Sequence, residues 1–309
     1  MNAPSTYVSK TGLSPTVARL RMGNTLRELR ESVNMTLDDA ARVLQRSAPT
    51  LSRLETGKTG KPREIEVILL LDAYDRRRSG VVTEQVRRDL LALVYDARQE
   101  VWFHRFRDVL AGDMVNEDQR RYLELENDAV RVQSYESELM PGLLQTRSYV
   151  QAIARTYYPD AGPDQHERFV ELRMRRTEVL KRPERPLEFH VVLSEVVLRR
   201  APGGPRVQHE QLDALRDYIR DGPPNVTIQM APLELAIPAV IGGPFVVMSF
   251  DEEGPDDLIY LEGRSGADYQ QSPAQLTTYG RFFAALTAEA YDERATLAAL
   301  EKVIERLDR

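Results

Sequence analysis

The chain of 309 residues carries 42 basic and 48 acidic side chains, a net charge of −6, and 42% of its residues are hydrophobic. This length predicts two domains, and the composition excludes wholesale disorder, a collagen-like repeat and a coiled-coil rod. Because the sequence has no cysteine, it excludes disulfides, thiolate metal sites, iron–sulfur clusters and a cysteine nucleophile.

The sequence gives no sign of export or membrane insertion. Residues 1–10 lack the basic stretch and apolar core of a secretory signal. The longest apolar run, residues 235–248, is interrupted by prolines and glycines and is too short to cross a bilayer as a helix. We therefore expect a cytoplasmic protein without a membrane partner.

Charge is distributed unevenly along the chain. Through Arg63 there are eleven basic and five acidic residues, a net charge of +6, which leaves −12 for the rest. A basic N-terminal segment favours binding to phosphates, because each neutralised phosphate releases counterions. A solvated basic surface without a partner is the alternative interpretation.

Residues 14–94 contain the start signals of five short helices. Ser or Thr side chains favour helix starts, and so does a proline in the first turn. The third helix is expected over Ala48–Thr56, with Gly57 supplying a left-handed C-terminal residue. The fourth is expected to bury Ile65, Ile68 and Leu69. The predicted starts are Ser14, Thr36, Ser47, Pro62 and Thr83.

The second and third helices are joined by a tight connection, residues 45–47, and Ala41 is small enough to let them cross closely. This arrangement is typical of a helix-turn-helix. The segment TLRELRESVNMTLDDAARVLQRSAPTLSRLETGK, residues 25–58, resembles the phage-repressor-like (XRE-type) helix-turn-helix family. The resemblance covers the first 75 residues and implies an all-α domain over residues 1–80. Such a domain binds double-stranded operator DNA, and we expect it to act as a homodimer.

The same resemblance assigns roles to individual residues. Arg30 is expected to pair with Glu55 and to tie the first helix to the end of the recognition helix. Arg53 is the best candidate for reading guanine, because its fork can meet O6 and N7 together; a phosphate clamp or a solvated charge is the alternative. A protein-binding module without DNA affinity also stays open. The expected DNA-binding set is Arg42, Arg46, Ala48, Pro49, Thr50, Ser52, Arg53, Thr56 and Lys58.

This set departs from the family pattern in two places. Gln45 stands in the turn where the family usually has glycine. Ala48 and Pro49 match base-reading positions but have no side-chain donors, although Pro49 could contact a thymine methyl group. Thr50, Ser52, Thr56 and Lys58 match positions that contact the DNA backbone.

Residues 81–309 predict an α+β domain with a small β-sheet. Residues 101–154 are expected to form a helix, a short extended stretch and another helix. Residues 209–221 predict a helix, and the chain from Ser272 almost to Arg309 is expected to be helical. Strands are predicted where β-branched and aromatic residues cluster between turns, at residues 187–195, 225–233, 244–250 and 257–263.

This second part resembles the C-terminal domain of unknown function that accompanies XRE-type domains in actinobacterial regulators. The resemblance rests on residues 126–150, on the segment LSEVVLRR that begins at Leu193 and on the strand at 225–233. Members are described as antitoxin-like regulators, often encoded beside a small partner protein. The resemblance implies that this domain serves in regulation, in dimerisation or in binding such a partner protein or a small-molecule effector. An antitoxin-like protein that mainly sequesters its partner is the alternative.

Catalytic motifs are absent from the sequence, so we expect no enzyme, metal or cofactor. Glu195 and Glu262 end two predicted strands and are expected to be surface or ion-paired residues, with a carboxylate pair as the alternative. Residues 140–146, MPGLLQT, are expected to be core or, alternatively, to line a groove. His190 is expected to be structural, and the remaining histidines are His104, His166 and His209.

Overall fold

The computed structural model describes residues 14–99, 106, 109, 114–183, 185–251, 256–263 and 266–307. These residues form two compact units. Residues 14–99, 251 and 256 belong to the first unit, and the other described residues belong to the second. The sequence analysis placed the boundary after residue 80. The first unit continues beyond that point, because its fifth helix packs along the first.

The first unit is all-α, as predicted. Its apolar core includes Met22, Leu26, Leu51, Leu71 and Tyr74, all at most 1% exposed. The five helices are α1 (Pro15–Ser32), α2 (Leu37–Val43), α3 (Ala48–Glu55), α4 (Glu64–Arg77) and α5 (Glu84–Ala97).

Three of the predicted helix starts are capped by the expected side chains. Ser14, Thr36 and Thr83 accept hydrogen bonds from the backbone N–H groups three residues later. Ser47 precedes α3 in an extended conformation but makes no such bond. Its hydroxyl lies 2.9 Å from the Thr50 hydroxyl instead.

The fourth helix differs from its prediction. It begins at Glu64, not at Pro62, and Arg63 is its N-terminal flanking residue. Its buried side includes Val67 and Leu70, whereas Ile65 and Leu69 are 50% and 39% exposed. The expected inward orientation of these two residues is therefore wrong, since the inward stripe lies on neighbouring positions of the same apolar run.

Helices α1, α2 and α3 end in the same way. The residue after each C-cap is left-handed: Asn34 at φ 51°, Gln45 at φ 53° and Gly57 at φ 67°. In each case the next N–H group reaches back to a carbonyl of the last turn, as in Arg46 N–H to Ala41 O at 3.0 Å. Gln45 thus holds a positive φ, which glycine adopts without steric cost.

The second unit contains helices on a six-stranded mixed sheet, which confirms the predicted α+β class. Its strands are β1 (Arg131–Glu136), β2 (Glu188–Ser194), β3 (Val226–Ala231), β4 (Phe245–Ser249), β5 (Leu258–Gly263) and β6 (Gly266–Gln270). Its helices are α6 (Glu117–Asp128), α7 (Arg147–Tyr157), α8 (Pro163–Arg176), α9 (Glu195–Arg199), α10 (Pro205–Asp221), α11 (Pro238–Ile241), α12 (Pro273–Glu289) and α13 (Glu293–Leu307).

The strand order is β3-β2-β1-β4-β5-β6. Strands β1, β2 and β3 are mutually parallel, and β4, β5 and β6 join antiparallel. As β4 is antiparallel to both β1 and β5, the C-terminal ends of β1 and β5 lie at the same edge of the sheet. Four strands coincide with predicted ones. The short extended stretch is β1, and β6 was not predicted.

The two faces of this sheet differ in character. One face packs Tyr135, Val192 and Ile259 against Phe283 and Leu286 of α12. The predicted C-terminal helix is divided into α12 and α13, because Ala290 is extended and Tyr291 bridges to Met230 of β3. On the other face, Ser134, Val246 and Tyr260 form one cross-strand row.

Candidate nucleic-acid interface

A buried ion pair fixes the recognition helix α3 to α1. Arg30 donates from Nε to Glu55 Oε1 at 2.7 Å and from Nη2 to Glu55 Oε2 at 2.9 Å. Arg30 Nη1 also donates to the Met35 carbonyl at 3.0 Å. Arg30 is 8% exposed and Glu55 is 2% exposed. Hydrogen bonding to Glu55 raises the pKa of Arg30. The structure thus brings together the two residues that the sequence paired.

The close crossing of α1 and α3 depends on a glycine. A Cβ atom at Gly23 would lie 2.5 Å from the Glu55 carbonyl oxygen and 2.7 Å from that of Leu54. Both obstacles are backbone atoms at the end of α3, so a side chain there would push the helix outward. This crossing holds α3 against α1, with Leu51 and Leu54 facing the core.

The opposite side of α3 faces solvent. Pro49 and Arg53 are exposed, and Ala48 and Ser52 are half-buried. Among the residues that the structure describes, none forms a hydrogen bond or ion pair with the Arg53 side chain. The guanidinium group is therefore available to an external acceptor, either a guanine edge or a phosphate.

The other residues of the predicted DNA-binding set differ in their exposure and in the intramolecular bonds that they make. Thr50 and Thr56 are half-buried and Lys58 is exposed. The Thr56 hydroxyl donates to the Ser52 carbonyl at 2.8 Å. Both arginines near α2 make intramolecular ion pairs: Arg42 with Asp39 at 2.6 Å and Arg46 with Glu66 at 3.2 Å. Their side chains are 76% and 45% exposed, so these pairs are solvated and weak.

The histidines of the second unit have local partners. His166 Nε2 lies 2.9 Å from the Tyr158 carbonyl, and His209 Nδ1 lies 3.0 Å from Asp213. His190 Nε2 lies 2.9 Å from Gln229 Oε1, and burial lowers its pKa. His104 lies outside the described residues.

Glu195 and Glu262 do not converge. Glu195 is the first residue of α9, directly after β2, and Glu262 belongs to β5, which two strands separate from β2. Glu195 pairs with Arg199, whereas Glu262 is exposed. The MPGLLQT segment is largely core, with Met140, Leu143 and Leu144 at most 3% exposed.

Sequence reasoning missed a second group of polar residues, in the second unit. Arg176 of α8 forms a buried ion pair with Glu126 of α6, with Arg176 Nη2 at 2.7 Å from Glu126 Oε2. A Cβ atom at Gly142 would lie 2.5 Å from the Arg176 guanidinium. The available signal was Gly142 in the Met140–Pro141–Gly142 turn, but no local pattern links it to α6 or α8.

Family comparisons match both parts of the chain. A family model described as a helix-turn-helix domain matches residues 21–88. A second, described as a domain of unknown function (DUF5753), matches residues 119–302. These matches confirm the two domain types that the sequence resembles, an XRE-like helix-turn-helix followed by a domain of unknown function. No curated protein and no solved structure matches the chain. Within the described residues, no helix is long and apolar enough to span a membrane.

Proposed function

This chain belongs to the DUF5753 family and carries an XRE-like helix-turn-helix domain, and we propose that it is a sequence-specific transcriptional regulator. It binds a near-palindromic operator as a homodimer, and its DUF5753 domain receives a partner protein or effector. The proposal gives it no enzymatic activity and places it in the cytoplasm. The observation that carries it is the exposed, unengaged Arg53 on a rigidly anchored α3.

The anchoring supports base reading because a major-groove contact requires a fixed helix. Arg30 and Glu55 hold the end of α3, and Gly23 allows the close approach of α1. Arg53 lies one turn after Pro49 on the solvent side. An Arg fork on such a face can donate to both guanine acceptors, and such a pair discriminates against other bases by about 1–3 kcal/mol.

The near-palindromic site follows from the proposed homodimer. Two recognition helices enter successive major grooves about 34–36 Å apart in two-fold helix-turn-helix complexes. The charge distribution agrees with separate roles for the two units, since residues 1–63 carry a net charge of +6 and the remainder −12. The second unit therefore contributes assembly and regulation, and the first unit contributes contacts with DNA.

The first experiment selects binding sites from a random DNA pool and then compares variants on the selected site and on scrambled DNA. We expect Arg53→Ala to weaken selected-site binding by about 1–3 kcal/mol and to relax the preference at a guanine. Lys58→Ala should weaken binding equally on all DNA and reduce the salt dependence by about one counterion. Arg88→Ala is the matched control, because Arg88 is an exposed arginine of α5.

Three results would count against the proposal. Selection that yields no shared sequence would contradict specific binding. An Arg53→Ala loss that is equal on all DNA would show a phosphate contact instead of base reading. A selected site without an inverted repeat, bound by one chain per site, would contradict the dimer.

The antitoxin-like alternative requires a surface on the second unit that a small protein covers. Tyr157, Leu233 and Ile241 are 63%, 52% and 78% exposed and are apolar side chains that such a partner would cover. Co-expression with the small protein encoded nearby separates the two functions. A stoichiometric complex that abolishes that partner's own activity would establish sequestration, whereas a partner that only changes operator affinity would support regulation.

A further inference from the structure

A group of polar residues lies on the face of the sheet opposite α12. We call it the polar cluster and define it as Ser134, Glu136, Arg173, Tyr260 and Glu262. Ser134 and Tyr260 share one cross-strand row through Val246. Glu136 and Glu262 lie two positions further along β1 and β5, at the shared C-terminal edge of the two strands.

The buried ion pair Arg176–Glu126 borders this cluster and is internally neutral. Both residues are at most 7% exposed, and their two parallel hydrogen bonds satisfy both charged groups. Gly142 packs directly against the guanidinium. Arg176 is thereby committed to Glu126, and it is not a free counterion for Glu136.

The remaining charges of the cluster lack partners. Within the described residues, Glu136, Arg173 and Glu262 make no ion pair, and Arg173 stacks only on Phe169, with its guanidinium carbon 5.1 Å from the ring centroid. The negative charge of Glu262 acts on both Glu136 and Arg173. The unpaired charges therefore comprise two carboxyl groups and one guanidinium, a surplus of one acidic group.

Solvent reaches these groups although protein surrounds them. Glu136 and Arg173 are half-buried, and Glu262 is exposed. Ser134 is 1% exposed, and its hydroxyl makes no hydrogen bond of ordinary geometry. That hydroxyl is directed toward Glu136, where it favours the carboxylate. Most buried polar groups in proteins have a hydrogen-bond partner, so a buried hydroxyl without one next to a solvent-accessible carboxyl group needs an explanation.

Aromatic rings complete the surroundings. The ring centroid of Tyr260 lies 4.5 Å from that of Tyr122 of α6, in a tilted arrangement, and 5.2 Å from that of Tyr269 of β6, in an edge-to-face arrangement. Aromatic faces attract cations, and two arginines already use neighbouring rings in this way. Arg176 lies over Tyr122 and Arg121 lies over Tyr269.

The protonation state of Glu136 follows from its surroundings. Burial, followed by the like charge of Glu262, raises the pKa of Glu136 to about 8, although Arg176 opposes the shift. Burial and the adjacent Arg176 lower the pKa of Arg173 to about 10. Glu136 is therefore largely protonated at neutral pH in the free protein.

We propose that the polar cluster is a binding site for an organic cation, with Glu136 and Glu262 accepting hydrogen bonds from its nitrogen and the tyrosine rings packing against its carbon atoms. The nitrogen belongs either to a free amine or to a basic side chain of a partner protein. This inference goes beyond the proposed function and does not depend on DNA binding.

Two other ligand classes fit less well. Among the described residues no group of three metal-ligating side chains occurs, and the aromatic surroundings do not favour a hydrated metal ion. An anion would gain Arg173 but would face Glu136 and Glu262.

A cation that binds carboxylates must also displace the proton from Glu136, so binding releases a proton and strengthens as the pH rises toward 8.

The test follows the Glu136 carboxyl signal by NMR in protein labelled with carboxyl-13C glutamate. The titration midpoint is measured in ethylammonium chloride and in sodium chloride of equal ionic strength. We expect a midpoint near 8 in sodium chloride. Ethylammonium at about ten times its dissociation constant should lower it by about one pH unit.

Two matched variants report on the site. Glu262→Gln should lower the midpoint even without ethylammonium, because a like charge is removed, and should abolish the ethylammonium-specific shift. Glu289→Gln makes the same charge change on the exposed end of α12 and should leave the shift intact. Equal midpoints in the two salts, or a shift that survives Glu262→Gln, would overturn the proposal.

Native mass spectrometry then distinguishes the two sources of the cation. A small basic adduct on the freshly purified protein that is absent from Glu262→Gln identifies a free amine. An ethylammonium-specific NMR shift without any such adduct assigns the site to a lysine or arginine side chain of a partner protein.

Discussion

Each compact unit contains a buried arginine–glutamate pair with a glycine against it. In the first unit, the Glu55 backbone carbonyl would lie 2.5 Å from a Cβ atom at Gly23, and the Glu55 side chain pairs with Arg30. In the second, the Arg176 guanidinium that pairs with Glu126 would lie equally close to a Cβ atom at Gly142. A buried arginine–glutamate pair next to a glycine therefore stabilises a helix crossing in one unit and a contact between a turn and a helix in the other.

The surroundings of the two pairs differ. Arg30 uses its remaining donors on the Met35 carbonyl and the Glu31 carboxylate, so each of these charged groups has a partner. The second pair borders Glu136 and Arg173, which are half-buried and make no ion pair with any residue that the structure describes. The proposed cation site therefore rests on the unpaired charges beside the second pair and not on the ion pair itself.

The largest effect is expected when one partner of a pair is removed. Arg30→Met leaves Glu55 buried and unpaired, which should lower the free energy of unfolding by about 3–5 kcal/mol. Arg176→Met should cost less, because the charge of Arg173 already acts on Glu126 and can replace part of the lost attraction. Urea unfolding gives the magnitudes, and hydrogen exchange identifies the unit that is destabilised.

The double variant Arg30→Met, Glu55→Leu controls for packing, since it removes both charges and should recover most of the stability. Equal losses for Arg30→Met and Arg176→Met would contradict the asymmetry between the two sites.

A smaller loss is expected at the glycine of the helix crossing. Gly23→Ala forces α1 and α3 apart, because the obstacles are backbone carbonyls, and should cost about 1–3 kcal/mol. Gly280→Ala is the matched control in α12, where a Cβ atom meets nothing within 4 Å. It should stabilise by about 0.5–1 kcal/mol, the ordinary advantage of alanine in a helix. Thermal unfolding that is unchanged by Gly23→Ala would show that the crossing can relax.

Local signals explain why much of the first unit could be predicted. Ser14, Thr36 and Thr83 cap helices as their residue types suggest, and Gly57 has the expected positive φ. The orientation of α4 could not be deduced, because its run of consecutive apolar residues does not define a helical phase. Ile65 is exposed there for that reason.

The second unit shows where local signals end. Strands β2 to β5 are rich in β-branched residues and were predicted, whereas β6 is a half-exposed edge strand with the sequence GADYQ. Helix α8 is strongly charged, yet Arg176 is buried. Its partner Glu126 lies 50 residues earlier, and only the fold of the chain brings the two together.

The smallest effect is expected at a tyrosine beside the first pair. Tyr74 is fully buried and its hydroxyl has no hydrogen-bond partner in the described part of the chain, although the charges of Glu55 and Arg30 act on it. Tyr74→Phe should therefore change the free energy of unfolding by about 0–1 kcal/mol in the stabilising direction, because no bond is lost.

Tyr149→Phe is the contrasting variant in the second unit, where the buried Tyr149 hydroxyl accepts from the Met140 N–H at 3.2 Å. Removing the hydroxyl leaves the Met140 N–H without an acceptor and should lower the free energy of unfolding by about 1–3 kcal/mol. Urea unfolding of the two variants measures the difference. A loss above about 1 kcal/mol for Tyr74→Phe would mean that its hydroxyl bonds to the Arg30–Glu55 pair, so that this pair, too, would extend into a larger polar network.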